Sequence, residues 1–181
     1  MLLLIIILIA AVLRILFLDQ APNTFSTDEV SNGYDAYSIL QTRRDRYGHF
    51  LPILLTGFND SRESLYVFLN IPLIQLFGLN EFSVRLPSAI AGVLTVPVLY
   101  YLAQKCFNNK KISLTAALLF TFSPWSIFYS RLTFHANLLP LFFCLALEES
   151  LLVLLLVLVP LPLPLASPSG ILPLATVLLA E

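Results

Sequence analysis

The chain has 181 residues, 58% of them hydrophobic and only 12% charged, with a mean hydropathy of +0.86. Soluble domains carry roughly 25% charged residues, so this chain lacks the polar surface of a water-soluble globule. Ten Lys and Arg against eleven Asp and Glu leave a formal net charge of −1, which offers nucleic acid no basic footprint. Two cysteines, Cys106 and Cys144, and two histidines, His49 and His135, exclude a disulfide framework or a regularly spaced zinc site.

Four apolar stretches approach the ~20 residues needed to cross ~30 Å of hydrocarbon. Residues 1–18 hold the first, nearly pure Leu, Ile and Val around Arg14. It has no basic leader and no small-residue cleavage site, so an uncleaved anchor is expected. A long polar segment, residues 19–84, follows and concentrates the charge, with Asp28, Glu29, Asp35, Asp45, Asp60, Glu63 and Glu81 among its acids. Within it, the caps around Thr24–Asp28 predict a helix from about Glu29 to Thr42. The stretch at 43–48 reads as a turn, residues 52–57 as extended, and Ser64–Phe77 as a further apolar helix. Fourteen residues at ~1.5 Å each reach only ~21 Å, so this helix is expected to lie in the membrane interface.

Residues 85–147 contain the remaining spans, at about 86–104, 112–129 and 132–147. The loop at 105–111 holds three lysines and no acid, which assigns it to the cytoplasm by the positive-inside rule. With the first span running outward, Asp28, Glu29, Arg62, Arg131 and Asn137 then share the non-cytoplasmic face. The expected fold class is therefore all-α and polytopic, with about four transmembrane helices and interfacial helices in a large first external loop.

The few charges invite two explanations each. Asp28 and Glu29 suit a helix N-terminus through capping and the macrodipole, and equally a general base at the mouth of a lipid-lined cavity. Arg62 fits a snorkelling or Glu63-paired residue, or a planar fork for phosphate. Arg131 stands at the outer boundary against the positive-inside trend, so an anionic partner is expected there, Glu63 or Asp60 being the structural choices. Arg14 is expected to snorkel outward, Arg85 to pair with Glu81 four residues before it, and Arg43, Arg44 and Arg46 to be solvated or to touch headgroups. His135 and Asn137 read as turn residues, and Trp125 with Tyr129 as interface-belt aromatics.

Three stretches carry a resemblance: Asp28-Glu29-Val30-Ser31-Asn32-Gly33-Tyr34-Asp35-Ala36-Tyr37; Leu65-Tyr66 followed by Leu76-Phe77-Gly78-Leu79-Asn80-Glu81-Phe82-Ser83-Val84-Arg85-Leu86-Pro87-Ser88-Ala89; and Ser123-Pro124-Trp125 with Ser130-Arg131-Leu132-Thr133-Phe134-His135-Ala136-Asn137. In this order they resemble the N-terminal portion of GT-C membrane glycosyltransferases. The group is the bacterial one related to protein O-mannosyltransferases and lipid A aminoarabinose transferases (glycosyltransferase families 39 and 83), and the similarity spans about residues 10–147. The resemblance implies an inverting transfer of a sugar from a polyprenyl-phosphate donor to a lipid, glycan or protein acceptor outside the cytoplasm. It implies no cofactor or metal, and an inner (plasma) membrane location. Asp28 matches the catalytic aspartate, with Glu29 as an auxiliary acid, and Arg131 matches an arginine associated with the donor phosphate. Arg62 stands where relatives carry Lys in Lys-Pro-Pro-Leu-Tyr, keeping the charge but not the prolines. Tyr66 and Asn137 join as substrate contacts, Asn137 at a position where relatives often have Asp.

The likeness stops at Leu147. Residues 148–181 are a low-complexity Leu- and Pro-rich tail with little site information, and the chain reads as a fragment of a longer enzyme. Two rival functions share these features: a catalytically inactive scaffold or lipid-carrier-binding subunit, and a transporter component. A transporter should carry ionisable residues in mid-span, whereas 86–104 and 112–129 have no charged residue.

Overall fold

In the computed structural model, residues 1–23, 25–56 and 61–158 are described. They form seven α-helices and one short hairpin: α1 (Leu2–Ile15), α2 (Thr27–Thr42), β1 (Leu54–Thr56), β2 (Ser61–Glu63), α3 (Leu65–Phe77), α4 (Glu81–Phe107), α5 (Lys110–Phe122), α6 (Pro124–Ser130) and α7 (Leu139–Leu158). A 3-10 turn at His135–Leu138 leads into α7. The strands pair antiparallel, with Leu55 opposite Arg62. The all-α expectation holds, and the helix expected at Glu29–Thr42 begins two residues earlier. The extended stretch expected at 52–57 is in part β1, while the end of the tail, 159–181, lies outside the described residues.

The long axis of the fold is α4. Its start is closed by a capping box in which Asn80 Oδ1 accepts from the Ser83 N–H at 2.8 Å and Ser83 Oγ accepts from the Asn80 N–H. Its end is set by Asn108 in the left-handed region, φ 47°. Twenty-seven residues at ~1.5 Å give about 40 Å, and α4 is the one described helix long and apolar enough to cross a membrane by itself. It packs against α1, α3, α5 and α7.

Span three is not straight. Its two pieces, α5 and α6, meet at an angle of 58° and pass the length and composition test only when taken together. The break is written locally: Ser123 caps α6 by accepting from the Ser126 N–H, and Pro124 occupies the first turn, where its missing N–H is harmless. Helices α1 and α3, with 14 and 13 residues, are apolar but shorter. Among the described residues, length and composition together support one crossing of the four expected, or two with α5 and α6 taken as one span, while the short α3 agrees with an interfacial position.

Two clusters organise the packing. On the polar side, Ala36 and Ile39 of α2 meet Leu55, Val67, Ile74 and Val84. Deeper, Ile6 and Ala10 of α1 meet Val96 of α4 and Ala117 of α5. Opposite that contact α1 exposes Leu4, Ile5, Leu8 and Val12, a face suited to lipid. Between α2 and α3 the turn at 45–49 is tied by Asp45, which accepts from the backbone N–H groups of Tyr47 and His49 and pairs with the His49 ring at 2.9 Å. Burial works against the Asp45 charge, but the His49 side chain and these N–H bonds outweigh it and hold the carboxyl below its usual pKa.

Close approach of α4 to its neighbours depends on Gly92. A Cβ there would lie 2.7 Å from Ser130 Cβ and 3.1 Å from Arg14 Cδ and Nε. Gly92→Leu should therefore push α4 from α6 and destabilise the protein by about 1–3 kcal/mol or more. Thermal unfolding of detergent-solubilised protein checks this, with the exposed Ile90→Ala as comparison.

Candidate active site at the membrane rim

Arginines at helix ends build the site. Arg14 is fully buried in the last turn of α1. Its Nη2 donates to Phe120 O at 3.2 Å and Ser126 Oγ at 2.9 Å, and its Nη1 to Ala10 O and Thr121 O at 3.4 Å. Phe120 and Thr121 lie in the last turn of α5, where the break into α6 leaves carbonyls without helical partners and the helix dipole is negative. The sequence expectation was outward snorkelling; the bend in span three instead supplies the acceptors that keep Arg14 inside.

Arg131 follows the same rule one level out. Its Nε, Nη1 and Nη2 donate to Ala21 O, Leu13 O and Phe17 O at 3.0, 2.9 and 2.7 Å. These oxygens lie at and just beyond the end of α1, so Arg131 finds backbone dipoles there and, among the described residues, no carboxylate. Burial, and then the nearby Arg85 guanidinium, lower its pKa below the ordinary arginine value.

Arg85 is fully buried one turn into α4. It forms a two-point ion pair with Glu29, Nε to Oε1 at 2.8 Å and Nη2 to Oε2 at 3.3 Å, and its Nη1 donates to Leu18 O and Pro22 O at 3.1 Å. The expected partner, Glu81, is farther away at 3.7 Å and half exposed. Glu29 also closes the α2 capping box, accepting from the Ser26 N–H at 2.9 Å, and Thr133 lies within hydrogen-bond reach of its Oε1. One carboxylate thus joins the start of α2, the start of α4 and the segment after α6.

The neighbouring carboxylate is placed differently. Asp28 is exposed on the first turn of α2, while Glu29 is buried. A one-residue step rotates about 100° around a helix, which turns one acid inward and the other to the surface. Arg62 pairs with Leu55 in the hairpin, and its side chain lies outside the described residues, as do residues 57–60. Tyr66 is buried, its hydroxyl donating to Val84 O at 3.1 Å. Desolvation pushes its phenol above the usual pKa and keeps it protonated. The Asn137 amide nitrogen lies within hydrogen-bond distance of the Tyr129 and Leu132 carbonyls and of Ser88 Oγ at 2.8 Å, and its two hydrogens serve these three acceptors. Tyr66 and Asn137 thus both tie elements together. Arg46, expected to be solvated, pairs with the buried Asp35, Nε to Oδ1 at 2.6 Å.

A cavity of about 320 Å³ opens beside this network, lined by Gly92, Phe120, Trp125, Ser126, Tyr129 and Asn137 among others. Among the described residues, no group of three or more His, Cys, Asp and Glu converges to hold a metal ion. Sequence reasoning missed the Glu29–Arg85 pair and the role of Arg14. The signals available were a charge inside an otherwise pure apolar run and a Ser-Pro break in a later span.

Removing one partner of the Glu29–Arg85 pair should be severe, about 3–5 kcal/mol, because the other charge stays buried. Glu29→Gln and Arg85→Met are each expected to lower the unfolding temperature strongly. The double variant is expected to recover much of the loss, and a double-mutant cycle on purified protein measures the coupling.

The family described as dolichyl-phosphate-mannose-protein mannosyltransferase matches residues 66–159, from α3 through α7. No curated protein and no solved structure matches the chain.

Proposed function

The chain belongs to the dolichyl-phosphate-mannose-protein mannosyltransferase family, a family of membrane glycosyltransferases, and on that premise we propose that it moves a sugar from a polyprenyl-phosphate donor to an acceptor on the non-cytoplasmic face. The observation that carries this reading is the division between two adjacent acids. Glu29 is buried and committed to Arg85, whereas Asp28 stands exposed on the same helix turn. Glu29 and Arg85 would then position α2, and Asp28 would serve as general base.

In this reaction the acceptor hydroxyl gives its proton to Asp28 as its oxygen attacks the anomeric carbon. The bond from that carbon to the phosphate oxygen breaks on the opposite face, and the electron pair leaves with the lipid phosphate. The anomeric centre is thereby inverted. The departing phosphate needs positive charge in a place with little water. Arg131 supports this role because its guanidinium carries five N–H groups and donates three to the end of α1. Among the described residues two remain without a partner, oriented by the first three. Arg62 would add charge from the hairpin.

A lipid-carrier-binding subunit without activity is the second reading, favoured by the same Arg131 geometry and differing only at Asp28. In the membrane-reconstituted protein, Asp28→Asn is expected to reduce transfer of radiolabelled sugar from its polyprenyl-phosphate carrier by about 10²–10⁴-fold. The unfolding temperature of the variant is measured alongside, so that a loss of transfer is told apart from a loss of fold. Undiminished transfer by purified Asp28→Asn protein would remove the base assignment, and no transfer by the wild-type protein favours the subunit.

A further inference from the structure

The segment between α2 and β1 plays no part in the reaction described above, yet its surface needs a partner. The turn is ordered by its own backbone: the Asp45 N–H donates to His49 O at 3.0 Å, and the Gly48 and Leu51 N–H groups donate to Asp45 O and Arg43 O at 3.1 Å. Arg44 faces Phe50 across an antiparallel bridge. This tight turn nevertheless leaves Tyr47, Phe50, Leu51, Ile53 and Leu54 exposed, Ile53 by 85%. A fixed patch of neighbouring apolar side chains marks a surface that something covers. Leu51 adds to this, because it holds a left-handed backbone at φ 40°, costly for a residue with a Cβ, and still exposes its side chain.

The place of the patch says what covers it. The Ser64 N–H and Oγ both donate to Ile53 O, at 3.3 and 2.7 Å, which sets the patch beside the start of α3. Leu65, Leu69, Pro72 and Leu76 are exposed on α3 at helical spacing, so they form a single apolar stripe. An apolar helix too short to cross lays such a stripe on the acyl layer, and the turn extends it. The charges then select among lipids. Arg44 and Phe50, opposite each other in an antiparallel bridge, project from the same face. Arg44 spends one N–H on Gly48 O at 2.8 Å, and among the described residues neither Arg43 nor Arg44 meets a carboxylate. The acids nearby are already engaged, Asp35 by Arg46 and Asp45 by His49 and two backbone N–H groups. Two exposed guanidinium groups therefore flank the apolar patch without a counter-charge from the protein.

We propose that the turn at 43–54 is a docking surface for anionic phospholipid. Phe50, Leu51, Ile53 and Leu54 enter the acyl layer, and Arg43 and Arg44 take lipid phosphates at the headgroup level. A zwitterionic headgroup also carries a phosphate, but its ammonium opposes the attraction, so net-negative lipid is preferred. Nothing in this contact depends on the transfer reaction.

Trp125 is the one tryptophan of the chain, so Trp125→Phe gives a silent background in which Phe50→Trp reports on the turn. The full chain is placed in nanodiscs of phosphatidylcholine and phosphatidylglycerol in equal amounts, with bromine on the acyl chains of one lipid or the other. Both brominated lipids are expected to quench the reporter, phosphatidylglycerol with an apparent affinity about threefold or more greater. Leu8→Trp in the same background, on the exposed apolar face of α1, is expected to show no preference. Arg43→Asn combined with Arg44→Gln should abolish the preference and keep the quenching; asparagine tolerates the left-handed backbone of residue 43, φ 59°. Where that variant does not fold, high salt on the unaltered arginines should weaken the preference in the same way and carries the test. Equal quenching of the Phe50→Trp reporter by the two lipids overturns the proposal. So does a preference that survives the double variant or, in its place, high salt. A reporter that neither lipid quenches overturns it as well, and blue-shifted emission then identifies a protein surface as the occupant.

Discussion

Buried or half-buried arginines bound to backbone carbonyl oxygens at and beyond helix ends are the interaction on which this structure depends. A helix leaves its last four carbonyls without partners, and in hydrocarbon each unsatisfied group is expensive. The chain answers with arginine three times. Arg14 takes the end of α5, Arg131 takes the end of α1, and Arg85 takes the segment just after α1. Each guanidinium offers several donors in a fixed fork and a charge that the negative end of the helix dipole welcomes. Bending span three and ending span one early are thereby made compatible with a membrane setting.

The same contacts locate the candidate chemistry. Because Arg85 is bound to the carbonyls after α1, Glu29 must come to it, and α2 is drawn against α4 with its first turn fixed. Asp28 then stands at the surface as a consequence of helical geometry. Arg131 is likewise oriented by α1 and set near Arg85, so a positive region faces the end of span one. An anionic lipid head and a carboxylate base need opposite electrostatic surroundings. Neutralising Arg85 with Glu29 while leaving Arg131 with uncharged partners is one arrangement that gives both.

The break in span three links this rim to the cavity below it. Ser126 sits on the first turn of α6 and touches Arg14, while Asn137 holds the segment after α6 against Ser88 of α4. Gly92 lets α4, α6 and the Arg14 side chain meet at distances that any Cβ would forbid. The cavity exists because α6 turns away from the axis of α5; with a continuous helix, Trp125 and Tyr129 would point elsewhere on the span.

Much of this was open to reading from the residues themselves. Composition set the solvent, the caps around Thr24–Asp28 marked the start of α2, and the length of Ser64–Phe77 argued against a crossing. Those features are local, depending on a few neighbours along the chain or on total hydropathy, and so they are legible without coordinates. Which acid Arg85 would choose, why Arg14 is tolerated in an apolar helix, and what Arg131 holds were decided only by tertiary structure. Apart from Ala10, four residues before Arg14, the hydrogen-bond partners described above lie 56 to 118 residues away and, Glu29 and Ser126 excepted, are backbone oxygens. Every residue carries such an oxygen, so sequence cannot distinguish the ones an arginine will reach until the helices have ended, bent and packed.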